Sequence, residues 1–232
     1  MPGMNEPSEH EVFDPTRRLW ISAFISCSLA LLIWAVFGQT IHYDFINYDD
    51  DIYIYRNPAI FRGLDVDKIA WVFTHDTGRD SWFPLASISH MADWQLYGSN
   101  AGGHHLTNVL LHGAAAIFLF LTLQKMTGAV WRSAFVAAVF AIHPLRVESV
   151  AWVTERKDVL SGFFFMLALW TWAGYVGNRR NAPHLGADET QASPGLSLTF
   201  WTLDYFWVLI FFALGGPLQK HDRDSPIYPA VA

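Results

Sequence analysis

The stretch His143–Leu160, HPLRVESVAWVTERKDVL, constrains this chain more than any other. It sets His143, Arg146, Glu148, Glu155, Arg156, Lys157 and Asp158 between two apolar runs, Ala129–Ile142 and Val159–Val176. The second run carries no Asp, Glu, Lys, Arg or His. A charged hairpin between membrane-length segments is costly unless it sits at the membrane face or lines a wet cavity. It is therefore either a solvated turn or part of a site, and the rest of the chain decides between the two.

Composition places the apolar runs in a bilayer. Hydrophobic residues make up 52% of the 232-residue chain and charged residues 16%, with 11 Trp and 18 Phe; soluble domains carry more charge. The net charge of −6 argues against a nucleic-acid partner. The one cysteine, Cys27, excludes an intrachain disulfide and leaves the redox compartment unreported.

Residues 1–18 are polar, acidic and Pro-containing and read as a disordered cytoplasmic tail. Leu19–Ile41 follows Arg17 and Arg18 and is long enough to span. It reads as an uncleaved anchor; the alternative is a signal peptide, for which the run is long and lacks a clean cleavage site. The loop His42–His104 holds two amphipathic patterns. In Asp65–Phe73, Asp65 is placed to cap a helix whose apolar residues are Val66, Ile69, Ala70 and Phe73. In Phe83–Tyr97, Pro84 suits the first helical position, and Leu85, Ile88, Ala92 and Leu96 form the expected apolar face. With Trp71, Trp82 and Trp94 at hand for the headgroup level, both helices are expected to lie along the membrane; the alternative is a small water-soluble subdomain.

Further spans are expected at Leu106–Leu123, Ala129–Ile142 (short, with Arg132 snorkelling), Val159–Val176 and, after a linker over Asn181–Leu198, Phe200–Leu214. The expected fold is thus all-α integral membrane, with about five transmembrane helices and a membrane-lying loop after the first. If spans alternate, Arg17/Arg18, Lys125/Arg132 and Arg179/Arg180 share the cytoplasmic side. The first loop and the charged hairpin then share the external side.

Three polar constellations fall on that external side. Asn47-Tyr48-Asp49-Asp50-Asp51 offers carboxylates that can hold a divalent cation such as Mg or Mn, or supply a general base; most such acidic runs are solvated turns. Gly102-Gly103-His104-His105-Leu106-Thr107-Asn108 opens the second span, and His105, Asn108 and His112 share one helical face. Such a stripe either packs internally or lines a cavity. In the hairpin, Glu148 and Glu155 project from similar faces if the segment is one helix, and Arg156 and Lys157 could grip a phosphate. Acids beside cations at a membrane face suit transfer chemistry on a lipid-linked phosphate.

The motifs NYDDDIYIYRNP, GGHHLTNVLLH and AIHPLRVESVAWVTERKDVLS resemble the multi-spanning N-terminal half of bacterial tetratricopeptide-repeat (TPR) membrane proteins, which are similar to the eukaryotic transmembrane O-mannosyltransferases with TPR repeats (TMTC) in the GT-C glycosyltransferase class. The likeness covers about Leu19–Leu214. It implies a polyprenyl-phosphate sugar donor, mannose first, with transfer to a protein or glycan acceptor on the extracytoplasmic side of a bacterial inner membrane. It places the catalytic or metal-associated acid at Asp49 or Asp50, and donor-phosphate or substrate contacts at His104, His105, Glu148, Arg156, Lys157 and Asp158.

The likeness implies further spans and TPR repeats after Gly215. The expected division is therefore a GT-C-like, incomplete transmembrane region over residues 19–215 and an aberrant tail over residues 216–232, compatible with a shifted reading frame. Such a fragment is expected to be inactive alone. Two alternatives stand beside the enzyme: a non-catalytic membrane anchor that presents TPR repeats, and a transporter. The second lacks the paired broken segments of inverted repeats.

Overall fold

The computed structural model describes residues 15–75, 82–181, 207, 209–211, 213 and 214. These are helical, with no strand among them. Seven α-helices follow in order: α1 (Pro15–Phe37), α2 (Val66–Val72), α3 (Pro84–Tyr97), α4 (Ala101–Thr127), α5 (Val130–Ile142), α6 (Val147–Ala151) and α7 (Arg156–Asn181).

Helix α4 is the centre of the bundle, with α1, α5, α7 and α3 packed around it. Asn100 caps its start by accepting from the Gly102 amide at 3.0 Å. Gly128, at φ +71, ends it in the left-handed conformation that glycine tolerates best. Gly102 and Gly103 are there for closeness. A Cβ on Gly102 would stand 2.1 Å from the Ile41 carbonyl oxygen, and one on Gly103 would stand 2.2 Å from the Tyr97 ring. The glycine pair thus lets α4 press against the end of the first span and the end of α3.

Among the described residues, three segments are long and apolar enough to cross a membrane: Thr16–His42, Ala101–Thr127 and Val153–Gly177. A fourth counts only if α5 and the Pro144–Ala151 segment form one span bent by 53°. The 13 residues of α5 rise only about 20 Å, short of the roughly 30 Å hydrocarbon core. The described residues thus hold three or four candidate spans, the third expected one being broken, and most of the expected fifth, Phe200–Leu214, lies outside them, as do residues 1–14, 182–206 and 215–232.

The breaks free backbone carbonyls that α4 then captures. His112 Nε2 donates to the Ala141 carbonyl at 2.9 Å, at the end of α5. Asn108 Nδ2 donates to the Val150 and Trp152 carbonyls at 3.3 and 3.0 Å, where α6 stops and Trp152 turns extended. Away from water an unmet carbonyl is costly, so the polar stripe of α4 is what makes the broken hairpin tolerable. Phe37 and Phe140 pack their rings against His112 and seal the site.

Apolar packing follows the same division. Ile33, Phe37, Val109, Ala116, Ala141, Val150 and Val159 join α1, α4, α5, α6 and α7. Ile25, Leu29, Phe120 and Ala137 form a second cluster further along the bundle. Ile54, Ile60, Val72, Met91 and Val153 form a third, which binds the first loop to the hairpin. Outward-facing Trp20, Phe24, Leu31, Leu110, Trp131 and Phe135 leave an apolar jacket of the kind lipid covers.

Helices α2 and α3 form where the spacing places them, with Asp65 accepting from the Asp67 amide at 3.0 Å and Pro84 in the first turn of α3. The inward face of α3 differs from the expected one. Ala86, Ser87, His90, Met91 and Asp93 are buried, while Leu96 is 72% exposed. The polar side turns inward because it has partners there, described below.

Gly102→Ala should lower the stability of the bundle by about 2 kcal/mol or more, since the added carbon meets backbone rather than a movable side chain. Gly162→Ala, with open space around the new carbon, should leave it unchanged or slightly raised. Thermal unfolding in detergent compares the two.

Candidate functional site

The site begins with Arg156, the first residue of α7, which has no solvent exposure. Its Nε donates to Asn108 Oδ1. Nη1 donates to Ser89 Oγ at 2.8 Å. Nη2 donates to Asp93 Oδ2 at 2.6 Å and to the His104 carbonyl at 2.8 Å. The planar fork of arginine thus joins α3, α4 and α7 through one group, which a lysine could not reproduce. Asp93 Oδ1 accepts from Thr107 Oγ1 at 2.8 Å, so both carboxylate oxygens are engaged.

Two histidines complete this buried layer. His104 Nε2 donates to the Gly98 carbonyl at 3.1 Å, and its Nδ1 stands 3.7 Å from Asp93 Oδ2. His90 lies beside it, their ring centroids 6.3 Å apart. Burial, then the positive charge of Arg156 and the neighbouring His104, push the His90 pKa well below the usual histidine range. The rings of Phe45, Trp94 and Tyr97 surround His104.

The acidic segment of the first loop meets the hairpin directly above. Asp50 is fully buried. Its Oδ2 accepts from the Ile46 amide at 2.8 Å, and its Oδ1 from the Thr154 amide at 3.1 Å and the Thr154 hydroxyl. One carboxylate therefore caps both its own turn and the start of the segment leading into α7. Asp50 also begins a π-helical turn over Asp51–Tyr55, a wider winding often found at functional sites. Asp49 is half-buried, and no hydrogen bond among the described residues engages its carboxylate. Asp51 pairs with Arg56 at 3.6 Å.

The other residues singled out from sequence divide by burial. His105 is buried and packs edge-on against Tyr43. Glu148 and Asp158 are exposed, and Asp158 accepts from Ser149 Oγ at 3.3 Å. Glu148 and Glu155 do not share one continuous helix, because the extended Trp152 separates α6 from the turn Val153–Glu155. Glu155 instead pairs with Lys157 Nζ at 2.6 Å. Lys157 remains partly open and lies over the Phe83 ring. The expected pair of phosphate-gripping cations is thus split: Arg156 is turned inward with each of its three nitrogens bonded, and Lys157 is partly exposed.

Asp49 and Asp50 do not gather a third ligand. Among the described residues, the one group of three metal-binding side chains is His90, Asp93 and His104. Ser89, His90, Asp93 and Thr154 carry much of this geometry and were not legible from motif spacing. Ser89, His90 and Asp93 form a polar strip within α3, a signal hidden by the apolar residues on its other side.

Fold and site together define a helical membrane protein whose first loop is bonded to a broken, charged hairpin around a buried arginine. Its known relatives carry a common name. The chain is 30% identical over 166 residues to human Protein O-mannosyl-transferase TMTC2, covering 68% of this chain and 19% of that protein. It is 30% identical over 241 residues to mouse Protein O-mannosyl-transferase TMTC1, covering 91% of this chain and 24% of that one. Human Protein O-mannosyl-transferase TMTC4 is 26% identical over 196 residues. The chain is therefore a distant homologue of the TMTC proteins and spans about a fifth to a quarter of the length of these relatives. No protein-family profile matches it. No solved structure matches it.

Arg156→Leu should cost about 3–5 kcal/mol, because it strands the buried Asp93 carboxylate. Adding Asp93→Leu should recover part of that loss rather than compound it. Unfolding midpoints of the two single variants and the double variant measure the coupling.

Proposed function

We propose that this chain is the donor-side membrane region of a mannosyltransferase that uses a polyprenyl-phosphate sugar on the extracytoplasmic face. The observation that carries the reading is the bonding of Asp50 to Thr154, which brings the acidic loop to the ERKD hairpin. With Asp50 holding that junction, Asp49 is the carboxylate left to take the proton from an acceptor hydroxyl. The acceptor oxygen bonds to the sugar C1 as the C1–O bond to phosphate breaks, and the polyprenyl phosphate leaves with the electron pair. Lys157, outward-facing and anchored by Glu155 and Phe83, stabilises the phosphate charge. His104, His105 and Arg156 support this surface from beneath. Glu148 and Asp158, both exposed, are left to contact substrate at the rim.

A divalent cation at Asp49 and Asp50 would add charge stabilisation. Asp50 already accepts three hydrogen bonds, so no step above is routed through such an ion. The orientation follows the basic residues. The start of α1 and the end of α4 meet at Ser22 and Gln124, 2.8 Å apart, and Lys125 lies beside Gly174 of α7. That shared end is the cytoplasmic one under the positive-inside rule.

A second reading, a non-catalytic anchor for TPR repeats, draws support from the internal partners of Asp50, Asn108, His112 and Arg156. A transfer assay separates them. Membranes carrying this region joined to the remainder of an intact relative should move labelled mannose from polyprenyl phosphate. Asp49→Asn should lower that rate about 100-fold or more, while Asp67→Asn, on the capped first turn of α2, should leave it near normal. Transfer undiminished by Asp49→Asn contradicts the assignment, and donor-independent function favours the anchor.

A further inference from the structure

His90, Asp93 and His104 come from two helices and are all buried. One ligand atom from each lies within 4.8 Å of the others. Their surroundings leave the electrostatics incomplete. The Gly98 carbonyl can only accept, so His104 Nε2 carries its proton there and a neutral ring leaves Nδ1 as a bare lone pair. That lone pair faces the carboxylate oxygen of Asp93 at 3.7 Å. The separation is too long for a hydrogen bond. His104 Nδ1 has no other partner, and His90 Nδ1 is likewise buried and unpartnered. The His104 lone pair and the Asp93 oxygen are facing acceptors that share no donor, and they repel one another in a low-dielectric interior.

We propose that His90, Asp93 and His104 bind a divalent transition-metal ion of the zinc class. A tetrahedral ion with bonds of about 2.0–2.1 Å holds its ligands roughly 3.3 Å apart, so small side-chain movements would close the set. Imidazole and carboxylate ligands suit this class of ion. The carbonyl of Gly98 behind His104 is the usual outer partner that orients a metal-bound histidine. Asp93 can serve both cations, since each of its oxygens has two lone pairs and the Arg156 guanidinium uses only one. The ion would clamp α3 onto the start of α4 beneath the acidic loop. Neither the spacing of the motifs nor the proposed transfer step calls for it, and it stands or falls separately from that reading.

The test uses the full chain purified in detergent without added chelator, with zinc and then cobalt as probes. Elemental analysis should find one zinc per chain. Replacing it with Co²⁺ should give the intense visible absorption of a tetrahedral site. His90→Gln and His104→Gln should each lose the bound metal, whereas His75→Gln, on an exposed residue stacked against Trp71, should keep it. Chelation of the unmodified chain should lower its unfolding temperature, which decides the matter even if the histidine variants fold poorly. A chain that holds no zinc, gives no cobalt spectrum above that of the solvated ion and is indifferent to chelator overturns the proposal. So does a metal that survives both substitutions.

Discussion

A guanidinium with no exposure inside an apolar bundle governs this structure. Arg156 must find an acceptor for each direction in which it donates, and the fold is arranged to supply them: Asp93 and Ser89 from α3, Asn108 and a carbonyl from α4. Removing two opposite charges from water is expensive, and their attraction repays it only when every remaining donor is met. The cage comes close to this condition, with acceptors for four of the five N–H groups. It also fixes α3 against α4 and α7, so the first loop cannot drift from the hairpin without exposing an unpaired charge.

The broken third span follows the same logic. A 13-residue helix and a five-residue helix end at carbonyls, Ala141 and Val150, that their own helices do not serve, and the Trp152 carbonyl has only the Glu155 amide at 3.2 Å. Asn108 and His112 of α4 take them up. Asn108 does this with its amide nitrogen while its oxygen accepts from Arg156, so one side chain supports both the break and the cage. Above it, Asp50 caps the segment entering α7 through Thr154. The polar residues of the loop and the second span thus hold the short segment Val150–Arg156 from two sides, and beside it Asp49 and the partly exposed Lys157 reach the surface.

Much of this was readable in the residues, and the failures have physical causes. Apolar length and basic flanks located the helices, and Asp65 and Pro84 marked two helix starts because capping is local chemistry. The stripe at His105, Asn108 and His112 was recognised, but its targets were backbone carbonyls, which no side-chain pattern displays. Arg156 and Lys157 looked alike in sequence. A one-residue step around α7 separates an interior position from an outward one, and that rotation is set by packing. The buried strip on α3 was missed because an inward polar face reverses the ordinary amphipathic rule. It does so here only because Arg156 arrives from 63 residues away.

The most direct test of this account is oxidative cross-linking of Asp50→Cys with Thr154→Cys in native membranes, on a Cys27→Ala background. A loop bonded to the hairpin predicts rapid, high-yield cross-linking, with single cysteines at the exposed neighbours Tyr48 and Glu148 labelled from the same face. Absent cross-linking, with the two positions labelled from opposite faces of the bilayer, would contradict it.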